Sequence, residues 1–209
     1  MARKRKFSRE EILQAALQLV DTQGLEKCSM RKLGEVLNVK AMSLYNYFSN
    51  KGELLDGVYE QVLKEMVYPE RTGNWIADLR GLAFAFRAVL RKHPKVLPLF
   101  ATRPALSEGS ISHMNAAFEI LQEPFPEPLT QLYTFQVLVT FVIGNTMYQY
   151  GPILAAPLPA NDADLYEDFP MLHSMEEALG SHDPEAEFAF GLDAMLDGLK
   201  NKAEAHKTP

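Results

Sequence analysis

The stretch from Ser29 to Lys51, SMRKLGEVLNVKAMSLYNYFSNK, constrains this chain more than any other. It holds two short runs with helical spacing. Ser29 is a good N-cap, and Leu33, Val36 and Leu37 share one side of the run that it opens. The second run extends from about Lys40 to Phe48, with Leu44 and Phe48 on one inward stripe. Between the runs lies Leu37-Asn38-Val39, and asparagine tolerates the left-handed backbone that so tight a turn uses. The other faces of the second run carry Lys40, Ala41, Ser43, Tyr45 and Tyr47. Tyrosines, small residues and few charges make an odd surface for a solvated helix. They suit a helix-turn-helix whose second helix lies in a DNA major groove.

Charge supports that orientation. The whole chain of 209 residues carries a net −6, but residues 1–56 are net +3 and the remainder net −9. A basic head on an acidic body aims one end at nucleic acid and keeps the other off it. The single cysteine, Cys28, leaves no intramolecular disulfide, and beside Ser29 it reads as a small apolar filler. No apolar stretch follows the basic N-terminus as a secretory signal would need. The most apolar segment, Val137 to Gly144, is far short of the roughly 20 residues of a membrane span. A cytoplasmic location and no membrane partner are expected.

The rest of the chain reads as helices throughout. Arg3, Lys4, Arg5 and Lys6 form a basic arm suited to phosphates or a minor groove. Ser8 and Glu11 make a capping box for a helix that Gly24 stops. With the opening pair it makes a three-helix head, residues 1–56. After the Ser49–Gly52 turn a helix carries Leu54 to Met66, a link spanning 57–70. The body, 71–209, opens with a helix from Trp75 to Lys92 that turns Leu79, Leu82, Ala83, Phe86 and Leu90 inward. A short segment from Val96 to Phe100 follows. The next helix, about Ser107 to Leu121, points Ile111, Met114, Ala117, Phe118 and Leu121 inward. A long apolar helix spans about Leu129 to Tyr150, and Ala155 to Pro170 is a loop rich in proline and acid. Asp183-Pro184-Glu185 caps a last helix reaching about Leu199. No period-two run of any length occurs, so the fold class is all-α.

The chain resembles the TetR family of bacterial regulators. The head carries the resemblance through Thr22-Gln23-Gly24-Leu25, Met30-Arg31-Lys32-Leu33, Ser43-Leu44-Tyr45-Asn46-Tyr47-Phe48, Asn50-Lys51 and Glu53-Leu54-Leu55. The body is similar to the tetracycline repressor subgroup at Trp75, Phe86-Arg87, Thr102-Arg103-Pro104, Phe190-Gly191-Leu192 and Gly198-Leu199. This resemblance implies a homodimer that represses from a palindromic double-stranded operator and lets go when a small effector binds the body. Carried onto matching positions, Arg31 would read a base, a guanine O6/N7 edge by its chemistry, although Glu35 one turn on could pair with it instead. Lys40, Ala41, Met42 and Ser43 would face base edges, with Met42 as a packing residue the alternative. Tyr45, Tyr47 and Lys51 would contact phosphates or sugars.

The subgroup holds its drug as a magnesium chelate, and here the matching positions are Val67, Leu99, Thr140 and Tyr148, with Leu82 replacing an asparagine. None is a histidine or carboxylate that would hold such a cation, so neither a metal nor another cofactor is expected. The expected lining is apolar: Leu82, Phe86, Leu99, Phe100, Phe118, Leu132 and Phe135, with Thr102, Asn115, Gln136 and Tyr148 as sparse polar anchors. It suits a flat, mostly apolar effector. The helices Leu129–Tyr150 and Asp183–Leu199 carry apolar surface enough to pair across a two-fold axis. Two other readings stand beside repression: a transcriptional activator, and an architectural protein indifferent to sequence. An enzyme finds little support, for no phosphate-cradling glycine loop, G-x-S-x-G elbow or H-E-x-x-H pair occurs.

Overall fold

The computed structural model describes residues 7–103, 108–150, 171 and 181–207, so the basic arm at Arg3–Lys6, Pro104 and the loop from Ala155 to Pro170 lie outside it. Every element among the described residues is helical.

Helix α1 (Arg9–Gln23) begins at the expected capping box: Ser8 Oγ accepts from the Glu11 amide and the Glu11 carboxylate accepts from the Ser8 amide. Loss of such a cap costs about 1 kcal/mol. It ends where Gly24 takes φ 90°, a conformation open to glycine. Ser29 caps α2 (Met30–Val36) by accepting from the Lys32 amide at 3.2 Å. The turn that follows depends on two small residues. Asn38 sits at φ 53°, the left-handed region. The Gly34 carbonyl accepts from the Val39 amide at 2.9 Å, and a Cβ on Gly34 would lie 2.9 Å from the Val39 carbonyl oxygen. Only glycine lets the turn fold this closely onto α2. Helix α3 spans Ala41–Leu44 with Lys40 as its N-cap, shorter than the expected run to Phe48. The Tyr47 amide reaches back only three residues to Leu44, so the last turn tightens and the helix stops.

Asn50 caps α4 (Lys51–Lys64), whose Gly57 lets α1 approach so closely that a Cβ there would collide with Leu13 Cδ2. The head core closes around Ile12, Ala16, Leu33, Leu44, Phe48 and Leu54. Cys28 is a buried free thiol in the same core, and burial raises its pKa.

In the body, α5 (Trp75–Lys92) is the central helix. Asn74 caps it, and the buried Asp78 carboxylate accepts from the Thr72 amide, the Thr72 hydroxyl and Arg71. These bonds tie down the crossing from the head. After a short 3-10 turn (Pro94–Val96), α6 (Leu97–Thr102), α7 (Glu108–Leu121), α8 (Pro128–Tyr150) and α9 (Pro184–Lys207) complete the layer around it. The last helix runs two turns past its expected end. Arg87 fastens α5, α8 and α9 together. Its side chain is only 2% exposed, pairs with Glu185 at 2.5 Å, donates to Gln149 at 3.0 Å and lies over the Phe188 ring at 4.4 Å.

Head and body meet along two seams. At the end of α1, Asp21 faces His93 Nδ1 at 2.8 Å and the Thr22 carbonyl accepts from Lys95 at 2.7 Å. At the start of α4, the Arg103 guanidinium at the end of α6 donates to Asp56 at 2.8 Å and to the Gly52 carbonyl.

Candidate DNA-reading face and effector cavity

The reading face is built by the turn. It presents α3 outward while Leu44 and Phe48 anchor its underside in the head core. Met42 is 73% exposed, which excludes the packing alternative, and Tyr45, Lys40 and Lys51 are exposed beside it. Ala41 and Ser43 are half-buried at the base of the same surface. Arg31 reaches out from α2 with 88% of its side chain exposed, and its 3.7 Å contact with Glu35 is a loose surface pair of little energetic weight. No acidic residue occurs from Val36 to Gly52. The nearest one beyond, Glu53, is turned to capping work, accepting from the Ser49 amide and hydroxyl and pairing with Arg9. Those bonds hold its carboxyl below the usual range. Tyr47 differs from its neighbours: it is half-buried and its hydroxyl donates to the Phe7 carbonyl at 2.8 Å, which pins the chain where the basic arm begins.

A half-open cavity of about 820 Å³, counting the solvent space at its mouth, lies between α4, α5, α7 and α8. Tyr59 and Leu63 line it from α4 and Met66 from just beyond that helix, and Leu79, Leu82, Ala83 and Phe86 from α5. Helix α7 supplies Ser110, His113, Met114, Ala117 and Leu121, and α8 supplies Phe135, Leu138, Val139 and Val142. Of the residues expected from sequence, Leu82, Phe86 and Phe135 are on this wall. Two more stand directly behind it. Phe100 stacks on Tyr59, ring centroids 4.0 Å apart, and tilts against Phe86; Phe118 packs on Phe135 at 5.1 Å.

The other expected residues lie elsewhere. Leu99 is buried in the core but away from the wall. Thr102 is exposed, with its hydroxyl donating to the Pro98 carbonyl, and the exposed Asn115 amide donates to Glu119. Leu132, Gln136 and Tyr148 point outward from α8, Tyr148 being 67% exposed. The cause is the phase of that helix. Thr134, Leu138, Val142 and Thr146 recur every fourth residue as its buried stripe, and the expected residues sit off it. On helix α7 Met114, Ala117, Phe118 and Leu121 face inward as expected, but Ile111 is exposed and Ser110 and His113 line the cavity in addition.

Sequence reasoning therefore missed the polar groups the cavity has. Tyr59 is pushed up to about 12 by burial, so its hydroxyl stays protonated. The His113 Nδ1 is hydrogen-bonded to the Tyr68 hydroxyl, the two rings nearly parallel, and burial lowers the imidazole pKa, favouring the neutral ring. For Ser110 and His113 the only sequence signal was their spacing with Ala117, on one side of a helix. Among the described residues no three His, Cys, Asp or Glu come together as a metal-ligand set. Among the described residues the cavity wall offers one imidazole and no carboxylate, and that donor set does not fit a magnesium chelate. No helix among the described residues is long and apolar enough to cross a membrane.

Comparison with known proteins agrees with both halves. Residues 12–58 match the family described as bacterial regulatory proteins, tetR family, and residues 69–203 match the tetracyclin repressor-like C-terminal domain. The HTH-type transcriptional repressor DrrR1 of Streptomyces coeruleorubidus is 28% identical over 207 residues, covering 91% of this chain and 76% of its own. The tetracycline repressor protein class G of Vibrio anguillarum is 27% identical over 201 residues, covering 93% and 94%. Among solved structures, ActR of Streptomyces coelicolor in complex with actinorhodin superposes with a TM-score of 0.79 at 25% identity, covering 95% of this chain and 99% of that one. With a family match over most of its length and a reading head and cavity in the matching halves, the chain belongs to the TetR family of ligand-responsive, DNA-binding transcriptional regulators.

Proposed function

We propose that this chain is a repressor that grips a palindromic operator as a homodimer and releases it when a largely apolar, planar molecule enters the cavity. The observation that carries this reading is that the cavity shares a wall with the helix that steers the head. Tyr59 lines the cavity from α4, and the first turn of that same helix is held by Arg103 from α6. Phe100 of α6 stacks on Tyr59 and touches Phe86, another wall residue. A guest that moves either ring therefore presses on α6, and through Arg103 on the segment that follows the reading helix. Differential affinity for one head position is all that release requires.

Residues 1–56 act as the reading head, 57–70 as the link, and 71–209 as the effector and dimer unit. On the head, Arg31 and the run Lys40–Ser43 specify sequence, while Tyr45 and Lys51 fix register on phosphates. Tyr47 belongs with this second group, acting through its hold on Phe7. Leu129, Tyr133, Val137 and Tyr148 of α8 and Phe190 of α9 leave exposed apolar surface that a second copy would cover, setting two reading helices about 34 Å apart. The complex of ActR with actinorhodin supports a small-molecule effector for a protein of this architecture.

Operator selection from random DNA with the purified protein tests the reading, followed by titration of aromatic compounds against the selected site in magnesium-free buffer. A palindrome with half-sites about one helical turn apart, released without Mg²⁺, is the expected result. Absence of enrichment, or release only with Mg²⁺, overturns it.

A further inference from the structure

The wall of the cavity is hydrocarbon and aromatic ring over almost its whole extent, so the few polar groups in it decide which apolar molecules are preferred. The His113 and Tyr68 side chains make one such group, and the surroundings define its hydrogen-bonding state. Tyr68 follows the end of α4 and is partly exposed; His113 is on α7, half-buried, and lines the cavity. Their rings stack at 5.5 Å with only 12° between the planes, and the Tyr68 hydroxyl meets His113 Nδ1.

That contact selects a tautomer. In a neutral pair the phenol O–H is the better donor and the imidazole lone pair the better acceptor, so Tyr68 donates to Nδ1. The proton of the ring is then on Nε2. His113, a lining residue of the cavity, thus keeps its N–H on the ring nitrogen that Tyr68 does not engage, and among the described residues Tyr68 is its only hydrogen-bond partner. A donor facing an apolar chamber favours a guest with a matching acceptor, because a guest without one leaves the N–H unpaired and desolvated.

We propose that His113, oriented by Tyr68, is the specificity-determining donor of this cavity, and that its ligands are planar polycyclic aromatic molecules bearing a carbonyl oxygen at the ring edge, as in quinones. His113 contacts the ligand oxygen; Tyr68 is a positioning residue that acts through the imidazole. The proposal rests on the reading of the cavity as the effector site, and its test separates the two.

The test compares 9,10-anthraquinone with anthracene, which has the same ring skeleton without the oxygens, by equilibrium binding to the full chain. The native protein should prefer the quinone by about tenfold. His113→Phe should abolish that preference by weakening quinone binding alone, and His113→Gln, which retains an N–H donor of similar reach, should restore much of it. Tyr68→Phe should lower the preference about threefold with anthracene affinity unchanged, an outcome that a merely structural role would not give. Nitrogen NMR of labelled histidine should find His113 as the Nε2–H tautomer in the native chain and a mixture in Tyr68→Phe. A preference absent from the native protein, or undiminished in folded His113→Phe, overturns the proposal and leaves the cavity reading standing. Leu82→Trp fills the chamber and should abolish binding of both probes. If both still bind that variant, or neither binds the native chain, the cavity reading fails and the proposal with it.

Discussion

The head and the cavity are built under opposite demands. A side chain that reads DNA has to stand in water until its partner arrives, and Met42 at 73% and Arg31 at 88% exposure do so. A side chain that lines a chamber has to be buried while leaving space unfilled, which only the packing of several helices can arrange. The head therefore keeps its function in one short segment and its stability beneath it, in Leu44, Phe48 and the close contact at Gly34. In the body the same helices do both. Helix α5 lines the chamber with Leu82 and Phe86 and, one residue further along, holds α8 and α9 through Arg87.

The sharpest way to break this contrast is at Arg87. Replacing it with alanine removes a buried charge, its partners on Glu185 and Gln149, and the guanidinium over Phe188. About 3 kcal/mol of stability should be lost, since a large buried side chain goes, leaving a cavity and taking the donor from Gln149. Thermal unfolding should move well down, and effector binding should fail together with body stability. If ligand affinity survives while stability falls, the two roles of α5 are separable and the contrast is weaker than drawn. Arg31→Ala is the counterpart in the head. With so exposed a side chain, stability should scarcely change, while operator affinity should fall by about 2 kcal/mol and discrimination at one base position relax. A stability loss equal to the affinity loss would contradict a division of labour within the head.

This contrast also explains what could be read from sequence. The cap at Ser29, the left-handed Asn38 and the capping box at Ser8 are local events, determined by residues within a few positions, and all three stand where the sequence put them. Gly34 carries no such local signal, because its necessity comes from the chain returning on itself at Val39. In the body the difficulty was phase. Helix α8 has threonines as well as aliphatic residues on its inner stripe and apolar residues such as Leu132 and Val137 on its outer surface, so periodicity could not distinguish cavity from exterior, and Gln136 and Tyr148 were assigned to the wrong side. On helix α7 Ile111 is an apolar residue that faces out, which hid Ser110 and His113. Arg87 was visible as a family position, but nothing in its neighbours announced burial, because Glu185 lies ninety-eight residues away.

The smallest effect expected distinguishes the two regions by acid. Glu53 in the head and Asp78 in the body both have carboxyls held below their ordinary range, Glu53 chiefly by Ser49 and Asp78 chiefly by the Thr72 amide, the latter to about 2. A folded-state pKa below the unfolded one means a contribution present above the ordinary carboxylate range and lost as pH falls through the folded value. For Asp78 that window runs from about 4 down to about 2, and the bonds at risk are those tying Arg71 and Thr72 to the start of α5. Asp78→Asn should therefore lower the melting temperature near neutral pH and flatten its decline between pH 4 and pH 2. Glu53→Gln should flatten the decline too, without disturbing the crossing between head and body. Melting curves across that range check both. An Asp78→Asn protein that loses stability as steeply as the native chain below pH 4 would mean that this carboxylate does not anchor the crossing, and that α5 is held by Arg87 and its apolar face alone.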